Sequence, residues 1–114
     1  MVGVTLANDK VIFAVRGFHK FLAFKTKLEI PRLHIMSVRH DPDAATLYKG
    51  MRVLGTHIPG LVAAGSFRHD GKRVFWDVGR SNNIVVVDLA QEKYDQLIIE
   101  VEDPQTVVAQ LSYN

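Results

Sequence analysis

The chain has 114 residues, enough for one domain with a hydrophobic core and too few for two. Its composition, 47% hydrophobic and 23% charged, excludes a disordered chain, and the absence of cysteine excludes disulfides and thiolate metal sites. The net charge of +2 hides an asymmetry, because residues 1–57 hold nine Lys and Arg against four Asp and Glu, whereas residues 58–114 hold five against eight. Since strands from both halves interleave in a folded domain, a mixed, solvated surface is the simpler interpretation. We predict a single domain over residues 1–114.

The N-terminal segment predicts a β-hairpin and not a leader. Polar residues from Asn8 onward interrupt the long apolar core that a signal peptide needs, and no run approaches the ~20 apolar residues of a spanning helix. We therefore expect a soluble, cytoplasmic protein. Apolar residues alternate with small or polar ones at Val2, Val4, Leu6, Val11, Phe13 and Val15. A two-residue turn at Asn8-Asp9 would pair Leu6 with Val11 and place all six on one face.

Residues 16–27 combine basic and aromatic side chains and provide the strongest functional lead. The candidate ligand-binding residues are Arg16, Phe18, Lys20, Phe21, Lys25 and Lys27. Such a surface would rest on an anionic bilayer, with its rings in the interface and its basic groups near the headgroups. The alternative is that the rings, together with Phe24, fill the core while the lysines remain in water.

The next stretch predicts two strands and two loops. Lys25 to Ile30 can extend as a strand, and a turn then leads into a second strand between Leu33 and Val38. Asp41-Pro42-Asp43 predicts a loop, and the Gly and Pro content of Thr46 to Gly60 predicts a connecting loop with at most a short strand around Arg52 to Leu54.

The stretch from Leu61 to Val101 predicts a meander of four consecutive strands. Asp70-Gly71 suits a two-residue hairpin turn between the first two strands. The predicted pairs are Phe67 with Val74, Gly65 with Trp76 and Arg68 with Arg73. This register places Val74, Trp76 and Val78 toward the core, and it leaves Phe75 and Asp77 on the outer face with the two arginines.

The last two strands of this meander lead into a helix. The third strand covers Ile84 to Leu89, with Val85, Val87 and Leu89 on one face. The fourth covers Gln96 to Glu102, with Leu97, Ile99 and Val101 inward and with Glu100 and Glu102 outward. Asp103 suits an N-cap and Pro104 suits the first helical position. The stripe Val107, Val108 and Leu111 predicts a short helix that must dock on the sheet.

Together these elements predict a mainly β fold of about seven strands with a C-terminal helix, and several motifs carry a family resemblance. The motifs are Ile30-Pro31, Gly55-Thr56-His57-Ile58-Pro59-Gly60, Ala64-Gly65-Ser66-Phe67, Val74-Phe75-Trp76-Asp77-Val78 and Glu100-Val101-Glu102-Asp103-Pro104. They resemble the bacterial pleckstrin-homology-like (PH-like) family over nearly the whole chain. The resemblance implies a split barrel of two nearly orthogonal antiparallel sheets, capped by the C-terminal helix. It also implies a scaffold for lipid, peptide or protein recognition, without choosing among them.

The resemblance does not extend to phosphoinositide binding. Members that bind inositol phosphates carry a lysine followed by a basic-x-Arg motif around the first hairpin. Here Lys10 leads to Ala14-Val15-Arg16, so one basic position is missing, and the predicted turn is very short.

The sequence offers no catalytic or metal-binding constellation. None of the five histidines has the spacing that places two ligands on one helical face, and Asp41 and Asp43 beside His40 are typical of a turn. Ser66 does not lie in a nucleophile elbow. Glu100 and Glu102 share one face of a strand, where a solvated pair is the simpler interpretation.

We therefore predict a non-enzymatic module without a cofactor or metal, which binds a protein or peptide partner; a second copy of the chain is one such partner. The alternative is peripheral binding to anionic membranes through Arg16–Lys27. Nucleic acid is not favoured, because Arg68 and Arg73 beside Phe75 form only a small cationic spot that Asp77 dilutes. The sequence does not indicate which sheet edge is open.

Overall fold

The computed structural model describes residues 2–15, 27–42, 51–58, 62–69, 71–78 and 83–112; for 51–58 and 62–69 the description covers the backbone. These residues form nine strands, a 3-10 turn at Arg32–His34 and a C-terminal helix. The strands are β1 Val2–Ala7, β2 Lys10–Val15, β3 Lys27–Pro31, β4 Ile35–His40, β5 Met51–Ile58, β6 Val62–His69, β7 Lys72–Val78, β8 Ile84–Leu89 and β9 Gln96–Glu100. The helix, α1, covers Pro104–Ser112.

The strands form two separate sheets. One sheet has the order β1-β2-β3, and the other has the order β4-β8-β9-β7-β6-β5. No described strand belongs to both sheets, so the described strands do not close into a barrel. The mainly β fold with two sheets and a C-terminal helix is confirmed. The predicted count of about seven strands is too low, and the connecting loop predicted over Thr46 to Gly60 is wrong, because Met51–Ile58 forms a full strand.

Both predicted hairpin registers are confirmed. In the first hairpin Leu6 pairs with Val11, and the turn residue Asn8 adopts a positive φ of 57°. In the second, Gly65 pairs with Trp76 across β6 and β7, and Gly71 has a φ of +79°. A tight turn and an apolar alternation are local properties of the chain, so together they determine the pairing.

The predicted meander of four consecutive strands is wrong beyond its first hairpin. Strand β9 lies between β7 and β8 and runs parallel to β7, with Trp76 paired to Ile98. The expectation of purely antiparallel sheets is therefore wrong for this pair. All five residues of β9 are buried, which is typical of an interior strand that is covered on both faces.

The six-stranded sheet buries apolar side chains on both of its faces. The larger cluster lies toward the three-stranded sheet and α1, and its buried members are Val2, Val11, Phe13, Val15, Ile30, Phe75, Val85, Val87, Leu89, Tyr94, Leu97, Ile99, Val101, Val107 and Leu111. The smaller cluster, formed by alternate residues of β7, β8 and β9, contains Val74, Trp76, Val78, Ile84, Val86 and Ile98.

This arrangement corrects several predicted orientations. Phe75 belongs to the larger core cluster and packs against Tyr94 with ring centroids 5.5 Å apart, so its predicted outward position is wrong. Trp76 belongs to the smaller cluster instead of the main core. Asp77 is 0% exposed and Glu100 is 6% exposed, although both were expected on a solvated face. The common cause is that the central strands have no solvated face.

The C-terminal helix begins and docks as predicted. Asp103 accepts hydrogen bonds from the backbone N–H of Thr106 at 3.3 Å and from its hydroxyl at 2.7 Å, as an N-cap does. Both bonds lower the pKa of Asp103 below its usual value, and the bond from the Thr106 hydroxyl has the larger effect. Val107 and Leu111 are buried, and the helix packs on β4 and β8. The helix therefore covers part of the larger core cluster.

We predict that Leu97→Ala and Ile98→Ala destabilise the protein by similar amounts, about 2–5 kcal/mol each. Both side chains are 0% exposed, and they lie on opposite faces of β9. Urea unfolding measures the free energy of unfolding of each variant. Leu33→Ala is the control, and it should change that free energy by less than about 0.5 kcal/mol because Leu33 is 91% exposed. A near-neutral Ile98→Ala would show that the second face of β9 is not buried.

Candidate partner-binding site

Most residues of the predicted ligand-binding segment lie outside the described residues: Arg16, Phe18, Lys20, Phe21 and Lys25. Lys27 is described, and it begins β3 with an exposed side chain. Its Nζ lies 3.2 Å from Glu29 Oε2, while Lys10 Nζ donates a hydrogen bond to Glu29 Oε1 at 2.8 Å. These contacts, led by the bond from Lys10, lower the pKa of Glu29. The charge of Lys27 is thus partly offset, and membrane binding through this segment stays a prediction.

The described residues were also searched for a metal site, a membrane-spanning helix and a surface for nucleic acid. No three or more His, Asp or Glu side chains within the described ranges are placed to hold a metal ion. No helix in those ranges is long and apolar enough to cross a membrane. The pairing of Arg68 with Arg73 is confirmed, but Phe75 is buried and cannot offer its ring for stacking.

Two large apolar side chains near the start of β4 are exposed. Leu33 in the 3-10 turn is 91% exposed and Met36 in β4 is 65% exposed. Between Ile35, which pairs with Leu89, and Ser37, which pairs with Asp88, the register shifts by one residue. Met36 is the extra residue of this bulge, which explains why it turns away from the core.

A groove between β4 and the end of α1 is lined in part by Met36. We call it the β4–α1 groove; its volume is about 270 Å³, and it is lined by Ile35, Met36, Ser37, Val38, Leu111 and Ser112. Leu111 anchors the helix in the core below the groove. Arg32 Nη2 donates a hydrogen bond to the Gln110 carbonyl at 3.0 Å, which ties the 3-10 turn to the end of the helix. The walls of the groove are therefore fixed at both ends.

A polar cluster around Asp88 supports β4 from the neighbouring strands. Asp88 accepts hydrogen bonds from the Ser37 hydroxyl at 2.5 Å, from Arg39 Nη1 at 3.0 Å and from Gln96 Nε2 at 2.7 Å. Partial burial raises the pKa of Asp88, but the bonds from Ser37, Gln96 and Arg39 together outweigh it, so the pKa lies below its usual value of 3.8. The ionised carboxylate thus holds β4 against β8 and β9.

The charged side chains around the β4–α1 groove form pairs. The segment Arg32–His40 contains two arginines, two histidines and no acidic residue, and α1 contains no charged residue. His34 is paired with Glu92, and Arg39 is paired with Asp88. These carboxylates largely balance the basic groups along this wall of the groove.

The sequence carried one signal for this site. Strict alternation from Ile35 would place a polar residue at position 36 and an apolar one at position 37, whereas the chain has Met36 and then Ser37 before Val38. Such a break in period two indicates a bulge. An apolar residue taken alone is assigned to the core, which is why Leu33 and Met36 were not singled out.

Comparisons of the chain with protein-family models, with curated proteins and with solved structures found no match.

We predict that Asp88→Asn lowers the urea midpoint near neutral pH and that its effect fades in acid. A carboxylate whose pKa is depressed by folding stabilises the native state above its unfolded pKa, here about 3.8. That stabilisation is lost as the pH falls through the lower, folded-state pKa. The measurement is a series of urea titrations of the wild type and of Asp88→Asn, from neutral pH down to the lowest pH at which both stay folded. It gives the difference between their urea midpoints at each pH.

The matched control for this prediction is Glu102→Gln, which neutralises an exposed carboxylate outside the cluster. It should shift the urea midpoint by less than Asp88→Asn near neutral pH. A difference between the wild type and Asp88→Asn that stays constant at every pH would show that the charge of Asp88 does not hold β4 in place.

Proposed function

We propose that this chain is a non-enzymatic binding module that recognises a segment of a partner protein in the β4–α1 groove. The observation that carries the proposal is the exposure of Leu33 and Met36 beside a groove at a sheet edge. Exposed apolar side chains scattered singly need no explanation, but neighbours rimmed by polar residues mark interaction sites.

The size of the groove favours a peptide segment over a small molecule. Ligand pockets usually enclose about 300–1,000 Å³, and this groove of about 270 Å³ lies at the surface between a strand and a helix. It has room for a few side chains of a longer partner. The remainder of that partner would extend over Leu33 and Met36, so both would be covered in the complex.

A positive charge beside the groove specifies the partner further. Because the Arg32 guanidinium is bound to the Gln110 carbonyl at the end of the uncharged helix α1, an Asp or Glu beside the apolar anchors of the partner would meet a positive charge there. Complementary charges of this kind set orientation and association rate more than affinity. The apolar anchors supply most of the binding free energy.

The backbone of β4 contributes less than its edge position suggests. Among the described strands, β4 borders the six-stranded sheet, and a border strand can take up a further strand by main-chain pairing. The bulge at Met36 interrupts the ladder there, and pairing is regular only from Ser37 to His40. We therefore expect side-chain contacts with the groove to dominate and main-chain pairing to be short.

The PH-like relationship is part of this proposal. Two sheets followed by a C-terminal helix support it, as does the general use of that fold for recognition. The parallel pairing of β7 with β9 departs from the antiparallel sheets that the resemblance implies. The proposed binding mode rests on the groove itself and does not require the family relationship.

A random peptide display library, selected on the purified protein, tests the proposal. We expect enrichment of peptides that combine two or three apolar residues with Asp or Glu. Synthetic peptides of the enriched sequence should bind Leu33→Lys and Met36→Lys variants about 10-fold to 100-fold more weakly, which corresponds to losing one apolar anchor. Titration calorimetry or fluorescence anisotropy measures the dissociation constants.

The control is Leu6→Lys, which changes a partly exposed leucine on β1 of the other sheet and should leave peptide binding unchanged. Arg32→Glu should weaken the acidic peptides while circular dichroism shows an intact fold. The proposal is wrong if no peptide is enriched, or if the double variant of Leu33 and Met36 binds as tightly as the wild type.

A further inference from the structure

Met36 presents an oxidisable sulfur atom at the β4–α1 groove. The chain has three methionines and no cysteine, so all of its sulfur atoms are thioethers. The Met36 side chain is 65% exposed and lines the groove. Because its sulfur lies near the end of an unbranched side chain, an oxidant dissolved in water can reach it without any unfolding of the chain.

The fold holds both neighbours of Met36 in place but not Met36 itself. Ile35 packs against the larger core cluster, and the Ser37 hydroxyl donates a hydrogen bond to Asp88 at 2.5 Å. Met36, the extra residue of the bulge, belongs to neither core cluster. A chemical change at its sulfur therefore leaves the packing of β4 intact and alters only the surface of the groove.

We propose that Met36 is a modification site, at which oxidation by hydrogen peroxide converts this wall of the β4–α1 groove from apolar to polar. A sulfur lone pair attacks one peroxide oxygen, so that an S–O bond forms while the O–O bond breaks. The hydrogen of the transferred oxygen passes to the departing hydroxide, which leaves as water. The sulfur is oxidised by two electrons, the peroxide is reduced, and the product is methionine sulfoxide. This inference rests on the proposed function and adds a means of regulating the same site.

The new oxygen weakens binding because it must be buried. A sulfoxide is polar and accepts hydrogen bonds, whereas the thioether that it replaces is apolar. An apolar anchor that covers Met36 has no donor to offer, and the Ser37 hydroxyl beside it already donates to Asp88. Burying a polar group without a hydrogen bond costs free energy. The oxidised groove therefore binds the same partner more weakly.

The neighbouring apolar side chain limits the size of the effect. Leu33 is 91% exposed and has no sulfur, so peroxide leaves it unchanged. Oxidation thus alters one of the two exposed apolar side chains and leaves part of the affinity. The change is also reversible, because methionine sulfoxide reductases return both sulfoxide epimers to the thioether.

Peroxide treatment of the purified chain tests the inference. Trypsin cleaves after Arg32 and Arg39, and the fragment between them contains Met36 as its one methionine, so mass spectrometry follows its oxidation directly. The sulfoxide should form nearly as fast as in a short unstructured peptide, and the urea midpoint should stay unchanged. The dissociation constant of a selected peptide that lacks methionine should rise about 10-fold, and reductase treatment should restore it.

Two variants separate the effect of Met36 from that of the other methionines. Met36→Leu keeps an apolar side chain of similar volume, so it should bind the peptide as the untreated wild type does, before and after peroxide. Met36→Gln has a polar side chain and should bind weakly without any treatment.

Three results would overturn the inference alone: Met36 that stays reduced while the unstructured peptide is oxidised, a urea midpoint that falls as Met36 is oxidised, or an oxidised chain that binds as tightly as the untreated one. An untreated chain that binds no selected peptide would overturn the proposed function and this inference together, so the two failures are distinguishable.

Discussion

The burial of β9 on both faces between β7 and β8 is the constraint on which the rest of the structure depends. Leu97 and Ile99 point into the main core, where the three-stranded sheet and α1 cover them, and Ile98 points into the second cluster with Trp76 and Val86. Because β9 has a hydrogen-bonded neighbour on each side, its backbone groups are also satisfied. The six-stranded sheet is therefore a central layer, and no face of its middle strands meets solvent.

This constraint leaves exposed apolar side chains of the described residues only at the borders of the sheets. Among the described residues, the large exposed apolar side chains lie on β1, in the 3-10 turn and on β4, all at a border. The helix α1 connects the two borders, because its first turns flank the groove beside β1 and its last residues flank the groove beside β4. One border carries the bulge at Met36 beside the β4–α1 groove, and the other carries the exposed side chains of Thr5 and Leu6.

Features that depend on neighbouring residues were predictable from the sequence. The two hairpin registers followed from turn residues and alternation, and the helix start followed from Asp103 and Pro104. The order β8-β9-β7 was not predictable, because a pairing between strands distant in sequence leaves no local pattern. Consecutive apolar residues such as Phe75 and Trp76 fit either face of a strand equally well. The exposure of Met36 was not predictable, because a bulge, not an unusual residue, turns this side chain outward.

The most direct test of the central arrangement is the pattern of backbone nuclear Overhauser effects between strands in the NMR spectrum of the labelled protein. The account predicts cross-strand contacts of the parallel type between β7 and β9, centred on Trp76 and Ile98, and antiparallel contacts between β8 and β9. Antiparallel contacts directly between β7 and β8, with β9 at a border, would contradict it.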